Sequence, residues 1–65
     1  MAKREIKKNF YEAINDGFEM LRMYEKEHND VMYEYKHTQI LAQLELASRL
    51  EIITFGEFKK LFDRL

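Results

Sequence analysis

Two Glu–His pairs are the residues whose types and spacing best suit chemistry. Glu25 with His28 and Glu34 with His37 both spell E-x-x-H, which on a continuous helix places the two side chains on one face. Carboxylate-bridged di-iron bundles bind their metals with this spacing, and Asp30 supplies a further oxygen ligand nearby. Such ligands have to project from mid-helix into a dry core, whereas both pairs lie near the predicted break between two helices. We therefore predict no metal site and no cofactor.

Groups suited to covalent catalysis are equally sparse. The sequence has no Cys, and its only Ser, Ser48, stands between Ala47 and Arg49 without a nearby base. Gly17 and Gly56 are isolated, so no phosphate-binding glycine-rich loop is present. A chain of 65 residues also has little room for a substrate pocket of the usual size, about 300 Å³ or more. The sequence predicts that the protein is not an enzyme.

Composition describes one small domain without a strong charge bias. Of its 65 residues, 46% are hydrophobic and 35% are charged, and the net charge is −1. Bulk charge therefore does not attract nucleic acid or an anionic membrane, and no run of about 18 apolar residues suggests a membrane span. No apolar segment follows the basic start MAKREIKKNF, so we expect a cytoplasmic location. A core this small, without disulfides, needs idealised helix packing or oligomerisation for stability.

The elements that position these residues are predicted to be helices, at about 3–27, 31–52 and 55–64. The predicted fold is all-α, an antiparallel helical hairpin followed by a short third helix. Asn29 or Asp30 suits the N-cap of the second helix, and its apolar residues on most sides predict a central position. Thr54 and Glu57 predict a capping box at the start of the third helix. The stripe of phenylalanines that follows predicts that this helix is docked.

The first predicted helix carries two apolar rows. The first row is Ile6, Phe10, Ala13, Gly17, Met20 and Tyr24, and the second row is Tyr11, Ile14, Phe18 and Leu21. Together they span about half the helix circumference, more than the roughly 100° that one packing partner covers. We expect the other two helices to leave much of the second row uncovered, so that a second copy covers it. Gly17 fits a close approach of another backbone, and a bend at Gly17 is the alternative.

These observations predict a homodimer, forming a larger helical bundle, that also binds another protein. The residues predicted for the dimer or partner interface are Tyr11, Ile14, Gly17, Phe18, Leu21, Tyr24, Tyr33 and Tyr35. Tyr is enriched at interfaces, although packing within the chain also accounts for the tyrosines. Small helical proteins without catalytic groups commonly act as inhibitors, adaptors or accessory regulators, and many are encoded by phages or mobile elements. That assignment is an analogy at the level of fold.

A small DNA-binding regulator is the rival hypothesis. The segment QLELASRLEI, residues 43–52, resembles the first helix of the helix-turn-helix in phage-repressor-like regulators, and ITFGEFKKL resembles the opening of MerR-type regulators. Each resemblance covers about ten residues and implies DNA binding, with a basic patch formed by Lys3, Arg4, Lys7, Lys8, Lys59, Lys60 and Arg64. Glu51, however, occupies the place of the usual turn Gly. The third helix exposes Glu57 and Asp63 and has no amide or hydroxyl side chain for base edges, so nucleic-acid binding ranks second.

Overall fold

The computed structural model describes residues 3–65, and side chains from residue 4 onward. In this range the chain forms α1 (Lys3–Lys26), α2 (Asp30–Arg49) and α3 (Phe55–Phe62). The predicted all-α class is confirmed, and the predicted helix ranges were too long at the C-terminal ends of α2 and α3. No helix in the described part of the chain is long and apolar enough to cross a membrane.

Side-chain caps fix where α2 and α3 begin. The Oδ1 atom of Asn29 accepts a hydrogen bond from the backbone N–H of Met32 at 3.3 Å, so Asn29 rather than Asp30 is the N-cap of α2. At α3, the Thr54 hydroxyl accepts from the Glu57 N–H at 3.1 Å, and the Glu57 carboxylate accepts from the Thr54 N–H at 2.9 Å. The predicted capping box is therefore confirmed, and both helix starts follow from local sequence.

Both α1 and α2 end in a Schellman motif whose left-handed residue is not glycine. After α2, the Ile52 N–H donates to the Ala47 carbonyl at 2.9 Å and the Glu51 N–H donates to the Ser48 carbonyl at 3.1 Å. Glu51 has a φ of 58°, and His28, at the same position after α1, has a φ of 56°. Glycine is favoured at this position because it lacks a Cβ. The motif ends α2 at Arg49, three residues earlier than predicted.

The core is entirely apolar and draws on all three helices and the second turn. Its buried residues are Ile14, Phe18, Leu21, Ile40, Leu44, Ala47, Ile53 and Leu61. No polar or charged side chain of the described residues is buried. Side-chain contacts join Lys7 and Tyr11 to Glu57, and Asn15 to Arg64. The backbone of α2 lies close to both α1 and α3, whereas α1 meets α3 and the residues after it through these side chains.

Candidate interaction surface

The predicted interface residues divide into a buried group and a more exposed group. Ile14, Gly17, Phe18 and Leu21 are buried within the single chain, and Ile14 is 0% exposed. The half-buried or exposed residues are Tyr11, Tyr24, Tyr33 and Tyr35. The expectation that the second row of α1 stays uncovered is wrong, because Ile14, Phe18 and Leu21 are buried in one core cluster with residues of α2 and with Leu61 of α3. The buried four therefore belong to the core, and the homodimer stays a prediction that needs a different surface.

Gly17 serves an approach between helices of the same chain. A Cβ atom placed on Gly17 would lie 3.1 Å from both Cγ1 and Cδ1 of Ile40, which is tighter than ordinary carbon contacts. Ile40 is fully buried in the core. The absence of a side chain at position 17 thus lets α1 pack closely on α2, and it needs no second copy to explain it.

Glu57 joins the start of α3 to α1. Its carboxylate pairs with the Lys7 ammonium at 2.8 Å and accepts the Tyr11 hydroxyl at 2.9 Å, besides capping Thr54. The hydrogen bond from Lys7, then those from the Thr54 backbone and Tyr11, lower the pKa of Glu57 to about 2. Burial, followed by the hydrogen bond to Glu57, raises the pKa of Tyr11. Glu57 was expected among the solvent-facing acids of α3, and it is instead a tertiary contact.

Arg64, which follows α3, makes a second set of contacts with α1. Its guanidinium carbon lies 4.1 Å from the centroid of the Phe18 ring, a distance suited to a cation–π interaction. Its Nη1 atom also donates to Asn15 Oδ1 at 3.3 Å. Arg64 therefore covers a core aromatic ring, and it is less available to a basic patch than the sequence suggested.

Exposed apolar side chains lie on the outer side of α2 towards both of its ends and at Leu50 just after it, with the exposed polar residues Thr38 and Gln39 between them. We define the α2 outer stripe as Val31, Tyr35, Ala42, Leu46 and Leu50, all of which are exposed. Val31 is 77% exposed and Leu46 is 58% exposed. Steps of four, seven, four and four residues return to one helical face, which lies opposite the core. As its predicted central position requires, α2 contacts both α1 and α3, but only on its inner side, so that Leu46 and Leu50 stay exposed.

A second exposed apolar surface lies on α3. We define the α3 aromatic surface as Phe55, Phe58 and Phe62. Phe58 is half-buried against the core, and its ring stacks on those of Phe55 and Phe62 at centroid distances of 6.4 and 5.9 Å. Phe55 is 75% exposed and Phe62 is 47% exposed. The third helix is docked as predicted, through Phe58 and the buried Leu61, whereas Phe55 and Phe62 stay exposed.

The two E-x-x-H pairs do not form a common site. Because α1 ends at Lys26, His28 has left the helix and does not share a helical face with Glu25. Glu34 is exposed, and the half-buried ring of His37 stacks on Tyr33 with centroids 6.1 Å apart. Across residues 3–65, no three side chains of Asp, Glu or His converge to hold a metal ion. The arrangement therefore offers little for metal-dependent chemistry.

The basic residues are spread over α1 and α3, and some of them are already paired. Lys7 is bound to Glu57, whereas Arg4 and Lys8 are exposed on α1. Lys59 and Lys60 are exposed on α3. The side chain of Lys3, predicted as part of the patch, lies outside the described residues. What remains is a mixed-charge surface, since Asp63 is also exposed on α3.

Comparison with protein-family models, with characterised proteins and with solved structures gives no significant match. The surface features of this chain that bear on its function are the α2 outer stripe and the α3 aromatic surface.

Proposed function

We propose that this chain is a non-catalytic helical protein that self-associates and binds another protein in the cytoplasm, as an inhibitor, adaptor or accessory regulator. The observation that carries the proposal is the exposure of large apolar side chains beside a core that is already closed. Val31 and Leu46 on α2 and Phe55 on α3 are each more than half exposed. Exposed apolar side chains that touch one another, as the stacked rings of Phe55, Phe58 and Phe62 do, mark interaction sites.

The ionisable groups with shifted pKa support a structural role over catalysis. Such groups cluster at active sites when burial or a charged partner prepares them for proton transfer. Here the lowered pKa belongs to Glu57 and the raised pKa to Tyr11, and the two side chains bind each other. Their bonds hold the start of α3 to α1, and the cleft that Glu57 borders beside Lys7 and Thr54 is open to solvent. A binding function is therefore favoured over an enzymatic one.

The α3 aromatic surface is the better candidate for binding a different protein. Aromatic side chains anchor protein–protein interfaces, because they bury a large area at a low entropic cost. Phe55 and Phe62 project from α3, whose exposed flank carries Lys59 and Lys60. A partner that fits this surface has an apolar groove with an acidic rim, since opposite charges at a rim speed association.

The test is affinity capture from a host lysate, followed by calorimetry with each purified captured protein. We expect one protein to bind the wild-type chain in a stoichiometric complex, with nuclease treatment having no effect. The variant F55S/F62S should lose that protein, whereas Val31→Ser, an equally exposed apolar change on α2, should retain it. Retention by F55S/F62S would show that the α3 aromatic surface is not the partner site, and recovery that depends on nucleic acid would contradict the proposal.

One structural observation favours the rival, a DNA-binding regulator. Glu51 adopts the left-handed conformation at the turn position that Gly usually fills in a helix-turn-helix. The Glu57 carboxylate binds Lys7 and Tyr11 of α1. It therefore does not add negative charge to the outer face of α3. Yet the exposed residues Lys59 and Lys60 stand near the acidic Asp63, and α3 has no amide or hydroxyl side chain to read base edges. We expect weak, salt-sensitive duplex binding at most, and selection of a defined DNA motif with submicromolar affinity at physiological salt would establish the rival.

A further inference from the structure

We infer that a cleft between α1, the first turn of α2 and the segment after α3 binds a small monocarboxylate with a compact apolar body. The cleft is lined by Phe18, Leu21, Arg22, Glu25, Tyr33 and Arg64. Its volume of about 220 Å³ is below the roughly 300 Å³ at which sites for drug-sized ligands begin, so only a small molecule fits. None of its residues belongs to the α2 outer stripe or the α3 aromatic surface, and the inference therefore goes beyond the proposed function.

Arg64 is held in this cleft by neutral groups. Its guanidinium carbon lies 4.1 Å from the centroid of the Phe18 ring, and its Nη1 atom donates to Asn15 Oδ1 at 3.3 Å. Both partners position the guanidinium without cancelling its charge. A guanidinium has five N–H donors, and a contact with one amide oxygen leaves most of them for a ligand.

The charge of the lining favours an anion. Arg22 and Arg64 contribute two positive charges, and Glu25 contributes one negative charge. Among the side chains that the structure describes, the one salt bridge joins Lys7 to Glu57, so no ion pair neutralises either guanidinium. The excess is one positive charge, which a monoanion balances. Planar guanidinium groups bind carboxylates through paired N–H donors, so a carboxylate is the anion that suits these two residues.

The apolar part of the lining selects the body of the ligand. It comes from Phe18 and Leu21 of the core and from the half-buried ring of Tyr33. Apolar ligand atoms gain affinity by leaving water for these side chains, a gain that a hydrated inorganic anion does not have. The Tyr33 hydroxyl is a further donor for the carboxylate. A compact aromatic acid such as benzoate therefore matches the cleft in charge, size and polarity.

NMR titration of the isotope-labelled chain with sodium benzoate, at constant ionic strength, tests the site. We expect saturable amide shifts centred on the lining residues, with a dissociation constant on the order of 1 mM because the ligand is small. Benzamide has the same shape without the charge, and inorganic phosphate is an anion without an apolar body. Each should bind at least about fivefold more weakly than benzoate.

Charge variants locate the binding. Arg22→Gln should raise the dissociation constant of benzoate at least about fivefold, whereas Glu25→Gln should lower it about twofold or more, because it removes the opposing charge. Arg49→Gln, which removes an exposed guanidinium on α2 outside the cleft, is the matched control and should leave it unchanged. Arg22 and Glu25 are both exposed, so urea unfolding of these variants should match the wild type.

Several results would overturn the inference. Equal binding of benzamide would show that charge plays no part, and equal binding of phosphate would show that the apolar lining plays none. The same loss of affinity in Arg22→Gln and Arg49→Gln would indicate a non-specific attraction between charges. Absence of saturable shifts up to about 50 mM benzoate would mean that the cleft holds no such ligand. Capture of a partner through α3 is a separate measurement, so the site and the proposed function can fail independently.

Discussion

Ile40 lies against Gly17 so closely that any side chain at position 17 would have to displace it. A Cβ atom there would be 3.1 Å from two carbons of the Ile40 side chain. Ala would improve helix propensity by about 1 kcal/mol, but overpacking a closed core costs roughly 1–3 kcal/mol. Because Ile40 is fully buried, the cost of overpacking should exceed the gain in helix propensity. Gly17→Ala should therefore lower the free energy of unfolding by up to about 2 kcal/mol.

Two further variants make this prediction specific. Ile40→Val removes Cδ1, so the double variant G17A/I40V should be more stable than the sum of the single effects, by about 0.5 kcal/mol or more. Gly56→Ala is the matched control, because a Cβ there is 3.9 Å from its nearest neighbour, the Thr54 hydroxyl. Urea unfolding measures all four. Equal stabilisation by Gly17→Ala and Gly56→Ala would contradict the close contact.

Glycine at the two left-handed positions should stabilise the chain. His28 and Glu51 have φ values of 56° and 58°, a conformation that costs roughly 1–2 kcal/mol for a residue with a Cβ. Glycine relieves this strain, although it adds entropy to the unfolded chain. We expect His28→Gly and Glu51→Gly each to raise the free energy of unfolding by about 0.5–1 kcal/mol. Glu51→Ala keeps the Cβ, so a gain as large as that of glycine would argue against relief of strain.

Acid should weaken the contact between α3 and α1. The folded pKa of Glu57 is about 2, below its ordinary value of 4.5, so the unfolded chain binds the proton more readily than the folded chain. The stability contributed by Glu57 is complete above pH 4.5 and is lost as the pH falls towards 2. Thermal melts between these values should show a steeper loss for the wild type than for Glu57→Gln. Glu12→Gln, an exposed change on α1, should keep the wild-type slope.

Glutamate substitutions in the second row of α1 should unfold the chain. They should not produce a folded monomer. Phe18 and Leu21 are each only 5% exposed, and an unpaired buried carboxylate costs several kcal/mol. A domain of this length has roughly 3–10 kcal/mol of stability in total. Circular dichroism of Phe18→Glu and Leu21→Glu should show loss of cooperative unfolding, whereas Phe55→Glu should melt like the wild type. Native-like melting of Phe18→Glu would mean that this row is not in the core.

The parts of the fold that depend on local sequence were predictable. The capping box of Thr54 and Glu57 follows from two residues three positions apart, and its hydrogen bonds are present. The end of α2 was predicted wrongly because a Schellman motif is normally recognised by a glycine at its left-handed position. Glu51 occupies that position instead. Local rules locate an element well when the residue types match the backbone conformation, and they fail where the sequence accepts strain.

The candidate surface was missed because periodicity shows which sides of a helix are apolar but not which side is covered. The second row of α1 and the outer stripe of α2 have similar spacing, and only the path of α3 decides between them. That path depends on contacts such as Tyr11 with Glu57, which are 46 residues apart in the chain. The chain does carry an excess of apolar surface, but most of it lies on α2 and α3, with Met23 as the exposed large apolar residue of α1.

Lys7 and Glu57, which bind each other, are 50 residues apart in the chain. During synthesis, this contact therefore cannot form until 50 further residues have been added after Lys7. At about 5–20 residues per second, the ribosome takes roughly 2.5–10 s to add Glu57 after Lys7. From the addition of Phe18 until the end of synthesis, the nascent chain carries this residue without Arg64, which lies over its ring in the folded chain. Exposed apolar surface makes an incomplete chain prone to aggregation and to chaperone binding. We therefore expect the newly made protein to depend on chaperones until α3 has been synthesised and can fold.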